Sequence, residues 1–359
     1  MTAQKFSTLA VCANISKSKL DELKKEFHTV HYHPDAKIPD EILKDIDIWF
    51  TRYLGFPANV KSLEQIPKTR LLQLTSAGAN VALTNPVLHE KGAHNQISVC
   101  SASGIHTMSI PQYIIAQIVN LYMKHQIQFH LCRTNAHWPT RQDIQQDLPA
   151  SGTNLSSLPL YGKTAGLLGY GHIARETARL LKAFNVTVIA ANSNGSKRVD
   201  DGYIIPGTGD IDGSIPSAYY STNDKASFKE FLSKSDILIA SLPSTPQTQW
   251  LLKKEHFEHL PKGAVFINVG RGNLAKSEDI IAALDSPYGL EGAALDVTDP
   301  EPLPDGHPLF THPKVIITPH TSGDFVGSFD AGADVLLAQV RRLRAGQPLM
   351  NLVDPQKGY

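Results

Sequence analysis

Residues Thr164–Arg198 read TAGLLGYGHIARETARLLKAFNVTVIAANSNGSKR, and their order of residue types decides how this region folds. TAGLLG is a short apolar run ending in glycine, as a buried strand does. Ile173–Phe184 predicts a helix whose inward face is Ile173, Thr177, Leu181 and Phe184, one residue per turn. VTVIAA then supplies a second β-branched run. Strand, tight turn, helix and strand make a βαβ unit. The alternation continues through DILIAS, AVFINV, AALDV and VIITP, with helices predicted at Ser227–Lys234 and Ser277–Leu284. Six strands with crossover helices are enough for a doubly wound parallel sheet.

Upstream, STLAVCA, DIDIWFT, RLLQLTS and ISVCSA read as strands of another open sheet, with KLDELKKEF as an amphipathic helix between the first two. A helix near Ser109–Phe129 leads from one unit to the next. The last helix, Val326–Ala345, carries Val335, Leu336, Val340 and Leu343 and is expected to pack back on the first sheet. A chain of 359 residues exceeds the size at which single cores stop growing, about 250–300 residues. The expectation is an α/β protein of two Rossmann-like domains with doubly wound parallel sheets, the first domain discontinuous.

Gly169, Gly171 and Ala174 form GxGxxA between the strand and the helix. The first glycine allows the turn, the second lets backbone amides approach a pyrophosphate, and the small third residue lets helix and strand pack closely. His172 and Ile173 open the helix, whose N-terminus favours anions. The second strand of such a unit ordinarily ends in a carboxylate that holds the adenosine ribose. Here it ends in Asn192, followed by Ser193, Asn194, Lys197 and Arg198. Without the carboxylate a 2′-phosphate is not repelled, and the hydroxyl, amide and two cations can bind it. NADP(H) is therefore expected in preference to NAD(H). Arg198–Asp224, rich in Gly, Asp, Pro and Ser, is longer than an ordinary loop and reads as an ordered surface insertion, either decorative or covering the adenosine end.

Lys plus Arg and Asp plus Glu both total 34, so no overall basic field points to nucleic acid or an anionic membrane. The three cysteines, Cys12, Cys100 and Cys132, have no metal-ligand spacing, and no metal site is expected. The longest apolar stretch, SIPQYIIAQIVNLYM, is interrupted by Pro111, Gln112, Gln117 and Asn120 and suits a core helix better than a span. A cytoplasmic protein is expected, because the N-terminus carries no secretory pattern.

Three polar residues stand at predicted strand ends, where ligands of open α/β sheets collect. They are Arg271 in FINVGRGN, Glu301 in ALDVTDPEP and His320 in VIITPHTSG. An arginine fork clamps a carboxylate, a histidine gives or takes a proton, and a carboxylate orients the imidazole. Such a set suits reduction of a 2-oxo acid. A surface cation, a loop histidine and a loop acid are the alternative.

The ordered motifs GLLGYGHIARETARLLKAFNVTVIA, SLPSTPQT, FINVGRGNLAKSEDIIAAL, GAALDVTDPEPLPDGHPLF and VIITPHTSG resemble the cofactor domain of the D-isomer-specific 2-hydroxyacid dehydrogenases, in their glyoxylate/hydroxypyruvate reductase-like branch. The resemblance spans about Leu158–Gly323, continues more weakly through LLQLTSAGANV, and the long insertion is similar to fungal versions. It implies Arg271, Glu301 and His320 as catalytic residues, and Ala77 and Gly78 as backbone amides that bind the substrate carboxylate together with Arg271. It implies cofactor contacts at His172, Ile173, Pro243, Thr248, Val269 and Asp296. It also implies residues 1–107 and 327–359 as the substrate domain, 108–326 as the dinucleotide-binding domain, a hinge between them and a homodimer. Glu301, where formate dehydrogenases carry glutamine, argues against formate. The pattern departs at Gln112 and Asn80. Arg52, beside Tyr53 and Leu54, is expected either to meet an anionic substrate tail or to form a structural salt bridge. A dinucleotide-sensing, corepressor-like binding protein on the same fold is the alternative function.

Overall fold

A computed structural model describes residues 6–147 and 156–354. The chain divides into two compact units, one of Met1–His106, Asp201–Ile205 and Phe325–Tyr359, the other of Thr107–Asp200 and Pro206–Asp324. The first unit takes in Asp201–Ile205, a piece of the insertion that the sequence reading placed wholly in the dinucleotide-binding domain.

The first unit holds strands β1 (Phe6–Cys12), β2 (Phe27–Tyr32), β3 (Ile48–Thr51), β4 (Leu71–Leu74) and β5 (Ser98–Cys100). They form a parallel sheet in the order β2-β1-β3-β4-β5. Strands β3 and β4 are buried at every residue, because a parallel sheet has helices or loops on both faces. The helix Ser328–Arg344 returns to this sheet and buries Ala333, Leu336, Leu337 and Val340 with Leu9, Val11, Ile48 and Phe50. That return makes the unit discontinuous, as the apolar face at its end of the chain predicts. Strand β2 was not anticipated. Its sequence FHTVHY is polar and half-exposed, the signature of an edge rather than of a core strand.

The second unit holds β6 (Thr164–Leu168), β7 (Thr187–Asn192), β8 (Tyr219–Ser221), β9 (Ile237–Ala240), β10 (Val265–Asn268), β11 (Gly292–Leu295) and β12 (Val315–Ile317). All seven are parallel, in the order β12-β11-β10-β9-β6-β7-β8. The chain starts at β6 and winds outward both ways, so the crevice lies at the carboxyl ends of β6 and β9. The seventh strand, β8, comes from inside the insertion and adds an edge beside β7.

Two helices differ from expectation. The Ser109–Phe129 helix is interrupted, giving Ile110–Tyr122 and His125–Asn135, with Lys124 between them at φ +58°. Its ammonium is buried and pairs with Glu291. The helix after the glycine turn runs His172–Leu181 and closes with a 3-10 turn, Lys182–Phe184. Its buried face is Ala174, Thr177, Ala178 and Leu181, while Ile173 is half-buried and Phe184 is exposed. The tighter final turn carries Phe184 away from the face that 3.6-residue periodicity would assign to it.

Candidate active site

The glycine turn joins β6 to the helix His172–Leu181. Gly169 adopts φ +90°, a conformation that favours glycine, and a Cβ there would lie 3.0 Å from Leu242. At Gly171 a Cβ would meet nothing within 4 Å, so the second glycine faces open space. The helix beginning at His172 has no side-chain cap. An uncapped N-terminus under an open glycine is the arrangement in which backbone amides receive a phosphate, and these residues fit a dinucleotide.

The carboxyl end of β7 turns sharply, and Asn192 makes the turn. Its Oδ1 accepts from Gly195 N at 2.7 Å and Asn194 N at 3.3 Å, and its Nδ2 donates to Ser196 O at 2.8 Å. The Asn192 amide thus shapes the loop. Ser193, Asn194, Lys197 and Arg198 are exposed on it.

A network that sequence reasoning did not find fixes the loop's far side. Arg175 is buried within the helix, and its Nη2 donates to Arg198 O at 2.8 Å. Its Nη1 donates to Asp210 O, and its Nε lies 3.5 Å from the Asp200 carboxylate. His172 Nε2 lies 3.2 Å from the same carboxylate. Tyr170 stacks under Arg175, 5.0 Å from guanidinium carbon to ring centre, and its hydroxyl donates to Asp210 at 2.6 Å. Burial and the bond to Asp210 push the Tyr170 phenol up. Burial would raise Asp210, but the bonds from Tyr170, Ile215 and Ser214 hold it low. The signal available in the sequence was a pair of charged residues, Arg175 and Glu176, set among the small residues Ala174, Thr177 and Ala178.

The carboxyl ends of β10, β11 and β12 carry the other predicted residues. Arg271 follows Gly270 in the turn after β10, where Asn268 Nδ2 donates to Arg271 O at 3.0 Å and Asn268 Oδ1 accepts from Gly270 N at 3.1 Å. Arg271 Nη1 donates to Gly270 O at 2.7 Å. Burial pulls the guanidinium below its ordinary value, and the Glu301 carboxylate pushes the other way. Val269 is buried beside it.

Asp296, at the end of β11, is buried and organises the next turn. Its Oδ1 accepts from Thr318 Oγ1 at 2.6 Å, Thr321 N at 3.0 Å and Ser322 N at 3.2 Å, and its Oδ2 from Ser322 Oγ at 2.5 Å. Its backbone oxygen accepts from His320 N at 2.9 Å. His320 is thereby held at φ +56°, and its Nδ1 lies 2.6 Å from Glu301 Oε1. Tyr113, its phenol pushed up to about 12 by burial, bonds Thr318 Oγ1 at 2.8 Å. The structure brings Arg271, Glu301, His320 and Asp296 to one edge of one sheet.

Pro243 and Thr248 close the turn after β9: Thr248 Oγ1 donates to Pro243 O at 2.7 Å. In the first unit, Ala77 is exposed and Gly78 half-buried in the turn after β4, where Ser76 Oγ donates to Gly78 O at 2.7 Å. Arg52, Tyr53 and Leu54 are exposed after β3, with the Arg52 guanidinium 6.0 Å from the Phe329 ring centre. Among the described residues no group of three or more His, Cys, Asp or Glu could hold a metal ion, and no helix is long and apolar enough to cross a membrane.

Residues 129–322 match the family described as D-isomer specific 2-hydroxyacid dehydrogenase, NAD binding domain. The chain is 30% identical over 298 residues to a putative 2-hydroxyacid dehydrogenase of Haemophilus influenzae, covering 81% of this chain and 82% of that one. It is 33% identical over 196 residues to glyoxylate/hydroxypyruvate reductase A of Serratia proteamaculans, covering 55% and 56% of the two chains. Among solved structures, a Sinorhizobium meliloti NADPH-dependent glyoxylate/hydroxypyruvate reductase in complex with NADP and sulfate has TM-score 0.71 at 23% identity, covering 98% of this chain and 100% of that one. A Xanthobacter autotrophicus D-isomer specific 2-hydroxyacid dehydrogenase in complex with NADPH and MES also has TM-score 0.71, at 22% identity, covering 98% and 99%.

Proposed function

The chain belongs to the D-isomer specific 2-hydroxyacid dehydrogenase family, an NAD(P)-dependent enzyme family, and on that premise we propose that it reduces a small 2-oxo acid to the D-2-hydroxy acid with NADPH. The substrate class is glyoxylate, hydroxypyruvate or a bulkier analogue, as the names of its relatives suggest. The observation that carries the reading is the His320 Nδ1 to Glu301 Oε1 contact of 2.6 Å, on the sheet edge that also bears Arg271.

When bound, the reduced nicotinamide supplies the hydride that reaches the carbonyl carbon. Arg271 holds the substrate carboxylate and stabilises the negative charge that grows on the carbonyl oxygen. His320, with its Nδ1 engaged by Glu301, donates the proton at Nε2 to that oxygen. In oxidation, neutral His320 takes the proton back. Gly169, Gly171, His172 and Ile173 receive the pyrophosphate, and Ser193, Asn194, Lys197 and Arg198 the 2′-phosphate. Asn192 keeps their loop in shape and contributes no charge. Pro243, Thr248, Val269 and Asp296 form the nicotinamide side. Residues 1–107 and 327–359 are proposed as the substrate domain and 108–326 as the dinucleotide-binding domain. The working form proposed is a cytosolic homodimer, for which light scattering would report twice the chain mass.

The deciding experiment is a panel of 2-oxo acids assayed with NADPH and with NADH. Turnover of short 2-oxo acids, more efficient with NADPH, is the expected outcome. Cofactor binding with no turnover of any 2-oxo acid would instead favour a sensing role.

A further inference from the structure

Trp250 stands outside the set of residues given a role above. It lies between β9 and the short helix Lys254–Phe257, at φ +50°. Left-handed backbone is uncommon for a non-glycine residue and costly for a bulky one. The side chain is 41% exposed, so burial does not offset that cost. A strained backbone beneath a half-exposed indole needs another reason, and its two hydrogen bonds supply one.

Trp250 N donates to Asn273 O at 2.7 Å, and Trp250 Nε1 donates to Asp299 Oδ2 at 2.8 Å. Asn273 is two residues beyond Arg271, and Asp299 is two residues before Glu301. One residue therefore bonds both loops, which leave the neighbouring strands β10 and β11. The loops touch directly as well, because a Cβ on Gly272 would lie 1.7 Å from Thr298 O. Lys276 lies over the indole at 4.7 Å from its centre, and Ser277 Oγ donates to Asp299 O at 2.7 Å. The indole is held from one side by a cation and spends its only N–H on the loop that carries Glu301.

We propose that Trp250 is a positioning residue for the reaction: it clamps the Glu301 loop to the Arg271 loop, so that the Glu301 carboxylate stays on His320 Nδ1 during turnover. Glu301 and His320 are both exposed, and water competes for each of them, so their contact depends on how firmly the loop is held. The inference rests on the roles proposed above for Glu301 and His320.

The test uses glyoxylate with NADPH, and calorimetry for cofactor binding. W250F keeps a ring beside Lys276 and removes the N–H. Its kcat is expected to fall about tenfold, within the range that small misplacements of catalytic groups cause, while the Kd for NADPH changes less than twofold. D299A should reproduce the loss, D299N, which keeps an acceptor oxygen, should stay within twofold of the parent, and W250F/D299A should be no worse than either single variant. In an E301A background, which leaves no acceptor for His320 Nδ1, W250F should change kcat less than twofold, because nothing is left to position. A W250F enzyme at the parental rate overturns the inference, and so does one that loses the same tenfold without Glu301. If E301A itself runs at the parental rate, the reading of the site fails first, independently of Trp250.

Discussion

The second unit carries two polar edges at the carboxyl ends of one sheet, and they are built in opposite ways. At β10 to β12, Arg271 aside, polar side chains are held by one another or by the next turn, through the His320 to Glu301 contact and the buried Asp296 that gathers Thr318, Thr321 and Ser322. At β7 the polar residue proposed to face the ribose, Asn192, spends its amide on its own turn, and Lys197 and Arg198 stand exposed. Chemistry requires groups held to a fraction of an ångström, whereas recognition of a phosphate tolerates long cations that close around the ligand. The first edge should therefore fail sharply when one group is removed, and the second by degrees.

The largest effect is expected at His320. H320Q removes the proposed proton donor and should lower kcat by roughly 10²- to 10⁴-fold, the usual contribution of general acid–base catalysis. Cofactor affinity, measured by calorimetry, should change little. A glutamine variant that reduces 2-oxo acids at the parental rate would break the comparison at its strong end.

Next comes Asp296. D296N turns one acceptor oxygen into an amide donor facing donors that are already committed, and such a conflict in a buried site costs about 2 kcal/mol. Urea denaturation should show that loss as a lower midpoint at unchanged slope, and kcat should fall because the His320 turn is no longer fixed. Full stability in the variant would mean that the turn is held by something other than this carboxylate.

How these features could be read in advance differs between the edges for the same physical reason. Arg271 and His320 sit three residues beyond the ends of β10 and β12, and Glu301 six beyond the end of β11, so hydrophobic pattern points to the ligand-bearing end of the sheet for all three. Arg175 looks like a solvated helix charge until its partners are known, and those are backbone carbonyls of Arg198 and Asp210, well downstream in the sequence. Trp250 was silent for a related reason, because a positive φ leaves no mark in residue type unless glycine fills it. Strands β2 and β8 were missed as edges: FHTVHY is half-polar, and Tyr219–Ser221 lies in a segment whose glycines and aspartates read as loop. Core strands advertise themselves through burial; edges, and side chains whose partners lie far along the chain, do not.

The recognition edge is addressed by the double variant K197A/R198A. Exposed ion pairs are individually weak, and two of them together should raise the KM for NADPH about tenfold with the KM for NADH unchanged. Equal losses with both cofactors would show that the loop supports the fold rather than the 2′-phosphate.

The smallest effect, and the finest division between shape and charge, belongs to Asn192. N192D keeps Oδ1 as acceptor for Gly195 N and sets its second carboxylate oxygen against Ser196 O, a repulsion that an exposed loop relieves by turning that carbonyl to water, so the turn should survive. What changes is the sign of the field beside the loop. A carboxylate about 4 Å from a phosphate oxygen in water-like surroundings opposes it by about 1 kcal/mol, which raises the KM for NADPH roughly fivefold. NADH has no 2′-phosphate to repel, and its ribose hydroxyls gain an acceptor, so its KM should fall or stay level. Opposite movements of the two KM values would show that asparagine at this position acts by withholding charge. Parallel increases would show that the amide matters here only as the pin of its own turn.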